Sequence, residues 1–168
     1  MFHPCSPSIR TEMLPMTIKG QLFKTTSLNV TRSILTLNKN RRLIGNDVPI
    51  FKNNGFNFPG KKITVNMAPA DLRKEGSSYD LTLAMGILVG SDQIKALEIE
   101  RYIIMGELSL DGSLQPIRGA LPIAIKAKEE GYKGFFLPKQ NVKEAAIVAG
   151  LDVYGVENVQ EVIDFFEG

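Results

Sequence analysis

The feature that most constrains the fold is a regular alternation of strand-like and helix-like segments over the last two thirds of the 168-residue chain. Short runs rich in β-branched and aromatic residues predict strands at residues 63–67, 102–105, 135–137 and 151–154. Strands that alternate with helices are typical of domains in which helices pack on a sheet. The sequence therefore predicts an α/β layer fold.

Four helices are predicted between and after these strands. Three begin where Ser or Asn lies three residues before an acidic residue, which is capping-box spacing, at residues 77–80, 141–144 and 158–161. The helix after residue 141 is expected to end at Gly150. The remaining helix is expected at residues 120–130, with a glycine directly after it.

A β-hairpin is predicted within the same region. Asp111 and Gly112 lie between two strand-like segments, residues 108–110 and 113–117, and this dipeptide is a strong two-residue turn signal. A hairpin joins antiparallel strands, whereas strands that alternate with helices pair in parallel. We therefore expect a mixed sheet.

Residues 1–50 differ in character from the rest. Short β-prone pieces such as residues 27–31 and 33–37 are separated by proline, glycine and asparagine, and no long helix is predicted. Residues 1–62 carry ten Lys and Arg residues and two Asp and Glu residues. Residues 63–168 carry ten Lys and Arg residues and sixteen Asp and Glu residues. Such a basic segment is either an arm that faces nucleic acid or simply a solvated, poorly ordered segment.

Residues 55–62 resemble a phosphate-binding loop but lack its context. They fit G-x-x-x-x-G-K, yet Lys62 stands where a Ser or Thr would hold magnesium, and the predicted strand follows the loop instead of preceding it. Pro59 also removes a backbone N–H that would bind phosphate. We therefore interpret the segment as a turn with Lys61 and Lys62 at its end.

Few residues remain for catalysis or metal binding. His3 and Cys5 are the only histidine and cysteine, so a zinc site or a histidine-based triad is not expected. Ser77 or Ser78 would serve as a nucleophile only beside a neutral lysine, and capping explains the serine equally well.

Two long stretches resemble a known family. They read "ITVNMAPADLRKEGSSYDLTLAMGILVGSDQI" from residue 63 and "GELSLDGSLQPIRGALPIAIKAKEEGYKGFFLP" from residue 106. Both resemble the N-terminal domain of magnesium-chelatase-like AAA+ ATPases, the ComM/YifB group, over about residues 51–168. This domain is similar in turn to the proteolytic domain of Lon proteases. The resemblance implies a two-layer, ribosomal-protein-like α/β fold with a mixed sheet and about four helices.

The resemblance to Lon also implies that this chain is not a peptidase. Ser78 occupies the position of the Lon nucleophile, but the position of the catalytic lysine is Leu121, which cannot accept a proton. Lys126 and Lys128 lie one to two helical turns further on and are expected to be solvated. No catalytic residue and no metal ligand is therefore expected. The positions that match the family motif are Asn66, Pro69, Asp71, Arg73, Lys74, Glu75, Gly76, Ser78, Asp80, Gly106, Glu107, Gly112 and Gly119.

The family resemblance implies the remaining expectations. Relatives carry an AAA+ module that uses ATP and magnesium, which we expect to be absent from this chain, so the chain would be a fragment without cofactors. Residues 1–50 do not match the family and would be divergent, truncated or frame-shifted. The domain would aid DNA engagement or ring assembly in competence and recombination, with Lys61, Lys62, Arg73 and Lys74 as DNA contacts. The alternative is a pseudo-protease that binds protein and not DNA.

Partners and location follow from the same reasoning. DNA, the AAA+ module and further copies in a ring are the expected partners. A magnesium-chelatase role in tetrapyrrole synthesis is discounted, because the family name derives from the ATPase module. The longest apolar run, residues 81–90, is about half of a membrane span, and no signal peptide is recognisable, so a cytoplasmic location is expected.

Overall fold

The structure is a computed structural model that describes residues 16–18, 28–31, 50–58, 64–67 and 77–168. Within these residues both parallel and antiparallel strand pairs occur together with helices. The predicted mixed α/β fold is therefore confirmed. None of the described helices is long and apolar enough to cross a membrane.

The first sheet is antiparallel. Its strands are β1 (Met16–Ile18), β2 (Leu28–Thr31) and β3 (Thr64–Met67), in that spatial order. The predicted strand at residues 63–67 is thus confirmed as β3, and the β-prone piece at residues 27–31 as β2. Residues 50–53 are helical and lie between β2 and β3 in the sequence.

The second sheet is parallel and the third is a short hairpin. The parallel sheet has the order β4 (Tyr102–Ile104), β7 (Gly134–Pro138), β8 (Asp152–Val156), so β7 is its central strand. The hairpin consists of β5 (Glu107–Leu108) and β6 (Leu114–Gln115). Each predicted strand from residue 102 onward therefore has a counterpart.

The helices follow the predicted order. α1 spans Asp80–Gly90, α2 spans Ala120–Glu129, α3 spans Val142–Ala145 and α4 spans Val159–Glu167. Short 3-10 turns precede α1, β4 and α3. The predicted C-terminal glycine of α2 is confirmed, because Gly131 has φ of +78° and returns a hydrogen bond to the helix.

Apolar side chains on the two faces of the parallel sheet form two separate clusters. Tyr102 and Phe136 belong to the cluster that contains α1 and α4, whereas Ile103, Phe135 and Leu137 belong to the cluster that contains α2. Successive side chains of a strand point to opposite faces, so neighbouring residues enter different clusters. Burial on both faces explains why β7 is an uninterrupted apolar run rather than an alternating one.

The predicted hairpin is confirmed, but its loop holds one residue more than expected. The backbone N–H of Gly112 donates to the backbone carbonyl oxygen of Ser109 at 2.9 Å, and Gly112 has φ of +88°. The Ser109 N–H in turn donates to the backbone carbonyl oxygen of Ser113 at 2.9 Å. This is a β-turn followed by a left-handed glycine, a three-residue loop that contains Asp111.

Two of the three predicted capping boxes are wrong, because Asp80 and Asn141 form hydrogen bonds with residues distant in the sequence. Ser77–Tyr79 form a 3-10 turn, and α1 then begins at Asp80 without a side-chain cap. Asn141 does not cap α3, because its amide pairs with the backbone of Ile117. The helix that starts there ends after four residues and does not reach Gly150.

The third capping box is confirmed in part. The Asn158 side-chain oxygen accepts a hydrogen bond from the Glu161 N–H at 3.1 Å at the start of α4. The Glu161 carboxylate also reaches back, but it accepts from the N–H of Glu157 at 3.1 Å and not from that of Asn158, so only the Asn158 half of the box forms as predicted. Both partners of this cap are close in sequence, which is why spacing alone predicts it.

Candidate functional site

A cleft of about 630 Å³ lies beside the start of α1. The 3-10 turn before α1 forms one wall, the β5–β6 hairpin forms another, and Ile50 contributes from the helical residues 50–53. The carboxyl groups of Asp80, Glu107 and Asp111 line the cleft. Two hydroxyl groups and three aliphatic side chains complete the lining, so the cleft combines negative charge with an apolar surface.

The start of α1 is fixed against the hairpin through Gly106. The Gly106 N–H donates to the backbone carbonyl oxygen of Ser78 at 2.9 Å, and the Leu81 N–H donates to the backbone carbonyl oxygen of Gly106 at 3.0 Å. A Cβ atom at position 106 would lie 2.7 Å from a methyl carbon of Leu114, which is closer than real Cβ atoms approach. A larger residue at position 106 would therefore require the Leu114 side chain to move, while the two backbone hydrogen bonds hold Asp80 beside β5.

Asp80 is a buried carboxyl group with little hydrogen bonding. The residue is 7% exposed, and its Oδ2 accepts one long hydrogen bond, at 3.5 Å, from the Leu108 N–H. Its Oδ1 is buried and has no hydrogen-bond partner among the described residues. Burial raises the pKa of Asp80 to about 6; the bond from Leu108 opposes this rise, and the negative charge of Glu107 adds to it.

We expect the Asp80→Asn variant to be more stable than the wild-type protein at pH 7, by about 1–2 kcal/mol. Because the pKa of Asp80 is higher in the folded state, that state binds more protons between about pH 4 and pH 6. The stability of the wild-type protein therefore falls as the pH rises through this window. Asparagine carries no charge and keeps an oxygen for the Leu108 N–H. Urea unfolding at several pH values measures the difference.

Asp111→Asn is the matched control for this measurement. Asp111 lies in the same cleft but is exposed, and hydrogen bonds from Ser113 lower its pKa. Its charge therefore contributes stability above the pKa of the unfolded chain, and its removal is expected to destabilise the protein slightly at pH 7. A less stable Asp80→Asn variant at pH 7, or a pH profile parallel to that of the wild type, would contradict the assignment of Asp80 as a strained buried charge.

Comparison with known proteins identifies the family. Residues 47–141 match the family model described as subunit ChlI of Mg-chelatase. The chain belongs to this magnesium-chelatase-like family. The match includes α1, the hairpin, α2 and the whole lining of the cleft.

Curated relatives agree with this assignment. The chain is 40% identical over 113 residues to competence protein ComM of Haemophilus influenzae, and the match covers 67% of this chain and 22% of ComM. It is 40% identical over 116 residues to the uncharacterized protein YifB of Escherichia coli, covering 69% of this chain and 23% of YifB. Lon protease 2 of Bacillus subtilis is 28% identical over 124 residues, or 72% of this chain and 22% of that protein. The chain thus spans less than a quarter of the length of these relatives.

The family motif can be followed only in part. Asn66 lies in β3, where it pairs with Asn29 of β2. Gly106 and Glu107 lie at the cleft, Gly112 lies in the hairpin turn, and Gly119 has φ of +77° directly before α2. Outside the described residues lie Lys61, Lys62, Pro69, Asp71, Arg73, Lys74, Glu75 and Gly76. The DNA contacts proposed for the basic residues among these stay predictions.

The two positions that correspond to the Lon dyad lie on different elements. Ser78 is half-buried in the 3-10 turn before α1. Leu121 lies in the first turn of α2, and its N–H donates to the Glu144 carboxylate at 3.0 Å. The acidic side chain of Glu144 on α3 thus contacts the start of α2 at Leu121, the position that corresponds to the catalytic lysine of Lon.

The nearby lysines of α2 are poorly suited to replace that base. Lys126 contacts Glu129 at 3.0 Å and Glu130 at 3.7 Å. The hydrogen bond to Glu129 is the largest cause that raises the pKa of Lys126. Lys128 donates to the backbone oxygen of Ala149. A lysine that acts as a base near neutral pH needs a lowered pKa, whereas the contacts of Lys126 with Glu129 and Glu130 raise its pKa.

Sequence reasoning interpreted Asp80 as a cap and missed its burial. Although Asp80, Glu107 and Asp111 line one cleft, the described part of the chain contains no group of three or more His, Cys, Asp and Glu side chains that could hold a metal ion. The available signal was the position of Asp80 directly before the apolar run of residues 81–88, all of which are buried. A charged residue at the end of a fully buried helix face has restricted access to water.

Proposed function

We propose that this chain acts as a non-catalytic accessory domain of a ComM-type, magnesium-chelatase-like AAA+ ATPase. In this proposal it aids DNA engagement or ring assembly in competence and recombination, while ATP and magnesium act in the AAA+ module of the full-length relatives. The identity of 40% to competence protein ComM carries the proposal. The hydrocarbon side chain of Leu121 and the ion-paired Lys126 support a role without peptide hydrolysis.

DNA engagement would depend on the basic residues at 61–62 and 73–74. The region from residue 77 onward carries eight Lys and Arg against fourteen Asp and Glu, so it contributes repulsion rather than attraction toward phosphates. The charge distribution therefore supports phosphate contacts by the basic N-terminal third and by the two cations at residues 73–74. The acidic character of the region from residue 77 onward also favours a second candidate function, that of a pseudo-protease domain that binds protein only.

We expect the 168-residue chain to bind duplex DNA with a strong salt dependence. Replacing Lys61, Lys62, Arg73 and Lys74 together with alanine is expected to reduce the slope of log K against log salt by about four, or about one for each phosphate contact. Fluorescence anisotropy of a labelled duplex at several salt concentrations measures both slopes. A variant that keeps the wild-type slope would remove these residues from the DNA contact.

Lys126→Ala combined with Lys139→Ala is the matched control. Both lysines are held by carboxylates, at 3.0 Å for Lys126 and 2.6 Å for Lys139, so their removal is expected to leave the slope unchanged. Absence of DNA binding at low salt would favour the protein-binding alternative. Casein hydrolysis that disappears in Ser78→Ala would contradict the non-catalytic role altogether.

A further inference from the structure

We propose that the cleft beside Asp80 binds a guanidinium group, the planar cation of an arginine side chain. This inference does not depend on whether the domain engages DNA, because the lining of the cleft is acidic. It rests on the burial of Asp80, on the other charges of the cleft and on its apolar walls.

The first observation is the unpartnered oxygen of Asp80. The residue lines the cleft although it is 7% exposed, and its Oδ1 has no partner among the described residues. A buried oxygen without a hydrogen bond costs about 1–3 kcal/mol, and more when it is charged. A hydrogen-bond donor that enters the cleft and reaches Oδ1 would remove this cost, which favours a ligand that donates hydrogen bonds.

The second observation is the sign of the charge around that oxygen. Glu107 and Asp111 also line the cleft, and Glu107 lies close enough to Asp80 to raise its pKa. Among the described residues, none of these three carboxyl groups forms an ion pair with Lys or Arg. A positively charged donor would relieve both the repulsion and the missing hydrogen bond, whereas a neutral donor would relieve only the latter.

The third observation separates a guanidinium from a metal ion. Ile50, Leu108 and Leu110 form apolar walls, and the described residues hold no group of three ligands of the kind a metal ion needs. Arginine is more weakly hydrated than an ammonium ion or a divalent cation, its stem packs on aliphatic surface, and its planar donors match a carboxylate. The hydroxyl groups of Ser77 and Ser109 supply further acceptors at the cleft.

We assign the arginine to another protein molecule, because Asp80 Oδ1 has no hydrogen-bond partner among the described residues. An experiment distinguishes this source from Arg73, the arginine of this chain that is nearest to Asp80 in sequence. Arg73 lies outside the described residues, so the probe is tested on both the wild-type chain and Arg73→Ala. Lys74→Ala is the matched control for the loss of a neighbouring charge.

The test follows the Asp80 carboxyl carbon by NMR as the pH is varied, with and without N-acetyl-arginine amide at millimolar concentration. The probe is expected to lower the midpoint of the Asp80 titration by about 1–3 pH units, as a nearby opposite charge does. Glu107→Gln is expected to weaken the effect, and Asp92→Asn, a change outside the lining, to leave it unchanged. N-acetyl-lysine amide and magnesium chloride are expected to produce smaller shifts.

Each outcome has a defined meaning. A shift in the wild-type chain supports the site and an arginine from another molecule. A shift only in Arg73→Ala supports the site and assigns its arginine to this chain. No shift in either protein, or a shift with magnesium but not with the guanidinium, overturns the proposal. Asp80→Asn tests specificity, because the probe should no longer perturb the backbone signals of β5.

Discussion

Replacing Phe136 with alanine is expected to lower the free energy of unfolding by about 3–5 kcal/mol, the usual cost of deleting a fully buried aromatic ring. Phe136 is 1% exposed and lies on the central strand β7. Its ring stacks on Tyr154 with centroids 4.6 Å apart, and it meets Phe165 at 4.9 Å and Tyr102 at 5.5 Å. Alanine would leave a cavity between the sheet and α4. Because the surrounding side chains are already closely packed, they cannot fill this cavity unless the helix moves.

Phe165→Ala is the matched control, because this ring belongs to the same aromatic group but is 43% exposed. We expect a clearly smaller loss of stability, since water already contacts part of the ring. Urea unfolding monitored by circular dichroism measures both variants. Equal losses would mean that the aromatic group is not a buried core around Phe136.

The second large effect is expected from Asn141→Ala, with a loss of about 2–4 kcal/mol in the free energy of unfolding. The Asn141 side chain accepts from the Ile117 N–H at 2.9 Å and donates to the Ile117 oxygen at 2.8 Å. Both Asn141 and Ile117 are buried, at 8% and 5% exposure. Alanine would leave two backbone groups of Ile117 without partners in a place that water does not readily reach.

Asn158→Ala provides the comparison for Asn141. Asn158 caps α4 at a half-exposed position, so its loss is expected to cost about 1 kcal/mol, the typical value for a helix cap. The same urea unfolding measurement applies to both variants. If both variants lost the same free energy of unfolding, or if Asn158→Ala lost more, the backbone groups of Ile117 would have other hydrogen-bond partners in the Asn141→Ala variant.

The contrast between these asparagines explains how far the sequence predicts the fold. Strands and helices with strong apolar patterns, such as β7 and α1, were predicted because the pattern is local. The cap at Asn158 was also predicted, since its partner Glu161 is three residues away. Asn141 has the same local spacing, but its partner is Ile117, 24 residues distant. A long-range partner that competes with a local one is invisible to spacing rules.

The candidate site shows the same limit. The resemblance to the family placed Asp80 and Glu107 in its motif, but spacing interpreted Asp80 as a cap of its own helix. Its described hydrogen-bond partner is Leu108, 28 residues away, and its burial depends on how Gly106 fixes β5 against α1. The negative charge of the cleft therefore arises from tertiary structure. The DNA contacts assigned to Lys61 and Lys62 stay predictions.

The two unequal faces of β7 also protect the sheet against slippage. A shift of the strand by one residue would turn Phe136 toward α2, whose buried residues are three alanines and one isoleucine: Ala120, Ile123, Ala124 and Ala127. The same shift would force Phe135 and Leu137 into the crowded aromatic side beneath α4. Since a one-residue slip inverts every side chain of a strand, the misaligned sheet would be overfilled on one side. Three consecutive apolar residues thus specify a single alignment, although all three are almost equally hydrophobic.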